Sequence, residues 1–140
     1  PLDLTTVESV QRWFTRQVPG IGKLNHEERE KICGLEPVSA RVRRSITIET
    51  FKLLKGISGV RQGIISPISH EHETRGITAG NLAHLKPRKD TRKYSFAAIA
   101  PVLWDEVEMD ARGASTVNGF KNSYDRQRSA EEFGSRTKLF

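Results

Sequence analysis

The chain has little of what most catalytic and secreted proteins need. It holds one cysteine, Cys33, so no disulfide can form within it, and the chain reads as intracellular. No stretch approaches the roughly 18 consecutive apolar residues of a membrane span, and no signal peptide opens the chain. Its five aspartates, Asp3, Asp90, Asp105, Asp110 and Asp125, are all isolated in sequence. A nucleotide polymerase needs closely placed carboxylates to hold two divalent cations, so this spacing excludes a polymerase centre within the chain. There is no initiator methionine, which leads us to expect a processed product or a fragment.

What is present suffices for one domain with a thin core. Leu, Ile, Val and Phe make 35 of the 140 residues, above the level of about one fifth at which disorder becomes the default. The net charge is +6, and its distribution matters more than its total. Arg41, Arg43, Arg44, Lys52, Lys55 and Arg61 face only Glu49 between residues 41 and 61. Lys86, Arg88, Lys89, Arg92 and Lys93 face only Asp90. Asp105, Glu106, Glu108 and Asp110 form an acidic block in return. Such segregation suits a protein with one side turned to a polyanion.

Hydropathy and capping signals predict a mainly α fold: a small helical module with a long irregular loop and room for one short β-hairpin. Thr5 and Glu8 fit a capping box, and Val7, Val10, Phe14 and Val18 then mark one apolar face of a helix that expects a neighbour outside the chain, closed by Pro19-Gly20. Asn25 and Glu28 repeat the cap for a short helix that Gly34 stops, with Leu35 folding back. A longer helix over 38–55 directs Val42, Ile46, Phe51 and Leu54 to the core, and Gly56 closes it. Residues 57–91 lose helical period, with short strands expected at 64–66, 74–78 and 93–96. Helix returns at 97–107, where a start at Pro101 is the cheaper arrangement. Ser115 should cap a last helix whose Val117, Phe120 and Tyr124 are buried, and the tail from Ser129 should fray. The organisation is thus 1–56 helical, 57–91 irregular and basic, 92–128 helical and 129–140 tail.

Several ordered motifs resemble the C-terminal, post-thumb region of LINE-like non-LTR retrotransposon reverse transcriptases. Val10-Gln-Arg-Trp-Phe-Thr-Arg16 with Pro19-Gly20 opens the series, followed by Leu24-Asn-His-Glu-Glu-Arg29 and Gly34-Leu35. Arg43-Arg44, the run Glu49–Gly56 and Thr74-Arg-Gly76 come next. The closing signature is Arg92-Lys-Tyr-Ser-Phe96, Pro101-Val-Leu-Trp-Asp-Glu-Val107 and Ser115-Thr-Val-Asn-Gly-Phe-Lys-Asn122. Order and spacing agree over roughly residues 4–128. The family's Trp-Asn-x-Leu-Pro reads Trp104-Asp-Glu-Val-Glu108 here, a departure expected of a diverged or decayed copy.

The resemblance implies a parent RNA-directed DNA polymerase using a divalent metal such as Mg. Its catalytic core and endonuclease would lie upstream, in the cytoplasm and nucleus. This chain would bring no catalytic residue, no cofactor of its own and no membrane partner. Its partners would be the template RNA, an RNA–DNA hybrid or target DNA, and the polymerase domain of the same polyprotein. Alternatively the chain is a structural docking module, or the inert relic of a decayed element.

Among candidate site residues, the cations carry the best case. Arg12, Arg16, Arg41 and Arg44 can project from helices toward phosphates, Arg44 having Glu27 and Glu49 as alternative partners. Lys86, Arg88, Lys89, Arg92 and Lys93 form a basic arm beside Pro87. Trp13, next to Arg12 and Arg16, is the best base-stacking candidate, although core packing is its default. Trp104, Phe120 and Tyr124 read as core. His70-Glu-His-Glu73, with His84, fits no zinc spacing and reads as a solvated loop. Cys33 sits at a helix end where the dipole is negative, and so reads as a structural thiol.

Overall fold

The structure, a computed structural model, describes residues 4–60, 63–68 and 80–137, with side chains followed to residue 130. Seven helices occur among the described residues: α1 Leu4–Arg16, α2 His26–Cys33, α3 Val38–Leu54, α4 Asp90–Lys93, α5 Phe96–Asp105, α6 Met109–Arg112 and α7 Val117–Thr137. The mainly α class is therefore correct. The chain divides into two compact units, Pro1–Ser45 and Ile46–Phe140, the division falling inside α3.

In the first unit, the apolar face of α1 is turned to solvent. Val10, Trp13 and Phe14 are 61%, 62% and 64% exposed, and Thr15 is the buried residue of the helix. The inward face is the polar stripe Glu8, Gln11 and Thr15, again at helical spacing. The Gln11 amide donates to Glu30 Oε1 at 2.8 Å and to the Glu36 carbonyl at 3.3 Å. Glu8 Oε1 accepts from the Ser39 backbone N–H at 3.3 Å. Thr15 Oγ1 accepts from Arg29 Nε at 3.2 Å, and a second Arg29 N–H donates to the Leu24 carbonyl. Arg29 is only 3% exposed, so these charge-assisted bonds replace its hydration. Thr5 lies inside α1 and is not its cap. The helix ends at Arg16, ahead of Pro19. Gly22 then passes so near that a Cβ there would stand 2.6 Å from the Arg16 carbonyl oxygen.

The caps of α2 form as their residues dictate. Asn25 accepts from the Glu28 N–H at 2.9 Å, and Glu28 reaches back to the Asn25 N–H at 3.1 Å. Gly34 adopts φ +63°, and Leu35 N–H returns to the Glu30 carbonyl at 2.8 Å, a Schellman closure. The end of α3 repeats it, with Gly56 at φ +67° and Ile57 N–H on the Lys52 carbonyl at 2.9 Å.

The second unit holds the apolar core: Ile48, Phe51, Leu82, Trp104, Val107, Ala111 and Phe120, with Leu54, Ile65, Val117 and Tyr124 packed against it. Phe120 is its centre. Its ring stacks on Phe51 at 4.4 Å between centroids, and Trp104 and Tyr124 follow at 6.0 and 5.9 Å. The expected stripe of α7 and the core role of Trp104 therefore hold. Ile46 is half-buried, but Val42 is exposed, and the buried positions of α3 are Val38, Thr47, Ile48, Thr50 and Phe51.

Other expectations are corrected. Residues 93–96 form no strand; they are the junction of α4 and α5. Residues 64–66 are bend and irregular chain, and residues 74–78 lie outside the described residues. Among the described residues, what pairs is a single antiparallel bridge, Pro67 with Leu82, flanked by Ala83 N–H to Ser66 O at 2.8 Å and Ile68 N–H to Asn81 O at 3.1 Å. α5 starts after Ser95, and Pro101 lies within it, its ring fully buried. Burial of the ring and of Ala100, Leu103 and Trp104 on the same helix offsets the i→i−4 bond that proline cannot make. The cap of α7 is Thr116, whose Oγ1 accepts from Gly119 N–H at 3.0 Å, rather than Ser115. α7 continues to Thr137, beyond the expected fraying point at Ser129.

The turn after α5 is held from two sides. The Arg112 guanidinium donates to the carbonyls of Val107 at 2.8 Å, Trp104 at 2.8 Å and Asp105 at 3.1 Å, and to Asn81 Oδ1 at 2.6 Å. It also sits 5.5 Å from the Trp104 ring centroid. Burial pulls its pKa below the ordinary value, and Asp105 opposes that pull. From α7, Gln127 donates to the Glu106 carbonyl at 2.7 Å and accepts from Glu108 N–H at 3.1 Å.

Arg112→Met should destabilise the second unit by about 2–4 kcal/mol in urea melts, because several carbonyls lose a charged donor. Arg112→Lys should recover little of that stability, since an ammonium cannot reproduce the fork. Glu49 sets a pH dependence: its pKa is held below its ordinary 4.5 first by the Ser58 hydroxyl at 2.5 Å and then by Lys52 at 3.2 Å. A lowered carboxylate pKa adds stability that is present above the unfolded value and is lost as pH falls through the folded one. Glu49→Gln should therefore flatten the acid limb of the stability–pH curve below about pH 4.5.

Candidate nucleic-acid interface

The basic arm is placed by its two ends. At one end Leu82 is fully buried in the core, and its neighbour Ala83 is bonded to Ser66. Beyond it, His84 Nε2 lies 2.6 Å from Asp105 Oδ2. At the other end, Ser95 Oγ donates to the Arg92 carbonyl at 2.7 Å, and α5 begins at Phe96. Trp104 Nε1 also donates to the Gly80 carbonyl at 3.1 Å, fixing the chain just upstream of Leu82. The closing signature thus anchors the arm through Trp104 and Asp105.

Between those anchors Lys86, Arg88, Lys89, Arg92 and Lys93 are all exposed. Four of them, Lys86, Arg88, Lys89 and Arg92, line one open groove of about 700 Å3 together with Leu85, Pro87, Thr91 and Ser95. Lys93 instead lies over the Tyr94 ring, its Nζ 5.6 Å from the centroid. Tyr94 is 54% exposed. Exposed cations around a shallow depression can neutralise successive phosphates without reading bases.

The four arginine candidates of the first unit behave differently from one another. Arg12 and Arg16 are exposed on α1. Arg41 donates to Gln11 Oε1 at 2.5 Å and so takes part in the polar packing of α1. Arg44 is half-buried and engaged within the fold. Its suggested partner Glu49 is held by Ser58 and Lys52. Trp13 is 62% exposed, so its default core role is overturned.

Sequence reasoning missed Arg29 and Arg112, two arginines that build structure. Neither has a local signature, since Thr15 and Asn81 lie in other segments and the nearer acceptors are backbone carbonyls. It also missed the convergence of Glu8, His26 and Glu30, whose coordinating atoms lie within 4.8 Å of one another. The spacing of His26 and Glu30, four apart on one helix, was readable; the approach of Glu8 was not. That group contains no aspartate, and it is the one coordinating triplet among the described residues. His70 and His72 lie outside the described residues. Cys33 is half-buried, in keeping with a structural thiol.

Comparison with protein-family models, with curated proteins and with solved structures finds no match for this chain. No helix among the described residues is long and apolar enough to cross a membrane.

The two tryptophans offer a direct check on the polarity of α1. Acrylamide should quench about half of the emission readily, and Trp13→Phe should remove that accessible part while leaving the shielded Trp104. Equal shielding of both indoles would contradict the outward stripe.

Proposed function

We propose that this chain is a non-catalytic C-terminal piece of a retrotransposon reverse transcriptase, and that it grips nucleic acid through the Lys86–Lys93 arm. The observation that carries this reading is the gathering of Lys86, Arg88, Lys89 and Arg92 on one open groove. Among the described residues, no carboxylate pairs with any of these four. The ordered motifs between residues 4 and 128 support the parentage. In this reading Arg12 and Arg16 supply further phosphate contacts, and the ligand is an RNA–DNA hybrid, RNA or target DNA. Divalent-metal chemistry belongs to the polymerase domain of the parent.

A docking role has its own support. Val10, Trp13 and Phe14 form an apolar stripe left facing solvent on α1. A surface of this kind often marks a protein contact, and the upstream polymerase domain is the partner the resemblance suggests.

Electrophoretic mobility shift with an RNA–DNA hybrid across a salt series tests the first reading. Affinity should fall steeply with salt. Alanine at Lys86, Arg88, Lys89, Arg92 and Lys93 together should reduce the log–log slope by about 3–4, near 0.9 for each phosphate no longer neutralised. An unchanged circular-dichroism spectrum must accompany the weakened binding. Absence of binding at low salt would exclude the nucleic-acid role and leave docking.

A further inference from the structure

Charge, burial and helix register converge at one place outside the basic arm. We propose that Glu8, His26 and Glu30 form a binding site for a single divalent transition-metal ion of the zinc class, clamping α1 to α2.

The donor set is appropriate: two carboxylates and an imidazole, all half-buried, with one coordinating atom from each inside a 4.8 Å span. Imidazole with carboxylate oxygen suits zinc and its neighbours better than magnesium or calcium. His26 and Glu30 stand four apart on α2, hence on one face, and Glu8 meets them from α1. His26 Nε2 and Glu30 Oε1 are 3.3 Å apart. That separation matches the edge of a tetrahedron with metal–ligand bonds of about 2.0 Å, roughly 3.3 Å. With three protein ligands the fourth position falls to water.

The outer contacts fit as well. Gln11 donates to Glu30 Oε1 at 2.8 Å, and the Ser39 N–H donates to Glu8 Oε1 at 3.3 Å. Such bonds orient ligating carboxylates. His26 Nε2 pairs with Glu30 Oε1, while its Nδ1 is shielded from solvent and has no hydrogen-bond partner among the described residues.

The first unit also needs such a clamp. Its buried residues among those described are Thr15, Arg29 and Val38, so it has almost no apolar core. Modules below about 40–70 residues commonly depend on a structural metal for this reason. An ion between α1 and α2 would hold together the polar face that apolar burial does not.

The test uses the full 140-residue chain, stripped with chelator and titrated with Zn2+ or Co2+. One saturable site is expected, with the visible absorption of tetrahedral Co2+ and a rise in the thermal midpoint. Glu8→Gln, His26→Gln and Glu30→Gln should each weaken binding by at least about tenfold, and Gln11→Ala by about tenfold through the outer contact. The metal-free variants should keep the helical circular-dichroism signal. If one of them fails to fold, the variant on the other helix decides. A His70→Gln/His72→Gln double variant should bind as the parent does. The proposal is overturned if no saturable site appears. It is equally overturned if the ligand variants bind unchanged, or if the His70/His72 variant alone loses the ion.

Discussion

The second unit depends on how the turn after α5 satisfies its backbone. A helix end leaves carbonyls without intrahelical donors, and here they sit beside the aromatic core where water cannot serve them all. Arg112 meets the carbonyls of Trp104, Asp105 and Val107, and Gln127 meets that of Glu106. Through the same guanidinium the turn is tied to Asn81, next to the buried Leu82. One side chain therefore links the Trp104 helix, the core and the start of the basic arm. Without it, the aromatic stack on Phe120 and the placement of Lys86–Arg92 would lose a common support.

The first unit is built on the opposite principle. Its helices meet through Glu8, Gln11, Thr15 and Arg29, in a network of hydrogen bonds with hardly any apolar burial. Such networks specify geometry well and supply modest net stability, because each bond replaces one to water. The cost is an apolar stripe on α1 turned outward, at Val10, Trp13 and Phe14. That stripe and the basic arm stand in separate units, and they invite different partners. The docking reading draws on the first and the nucleic-acid reading on the second.

What was legible in the sequence was local. The Asn25–Glu28 capping box and the glycine stops at Gly34 and Gly56 each depend on a few neighbouring residues, and all three form. The stripe Val117, Phe120, Tyr124 also held, because a single clear period left one packing solution. Errors arose where two local solutions compete. Thr116 and Ser115 are both competent caps, and only the register of α7 against the core selects Thr116. Pro101 at a helix start is cheaper locally, yet burial of its ring favours the interior position. On α1 it was Trp13 that departed from its core default, because Glu8, Gln11 and Thr15 on the other face find the partners.

The sequence by itself determined the mainly helical class, the limits of α2 and α3, the aromatic core of the closing signature and the exposure of the Lys86–Lys93 cations. These follow from capping chemistry, hydrophobic period and charge density, all short-range properties. The tertiary structure alone decided which face of α1 turns inward, which arginines become structural and which line a groove. It alone brought Glu8 to His26 and Glu30. Those outcomes depend on partners in other segments, such as Thr15 for Arg29 and Asn81 for Arg112, and on carbonyls freed at turns, whose positions no residue pattern carries.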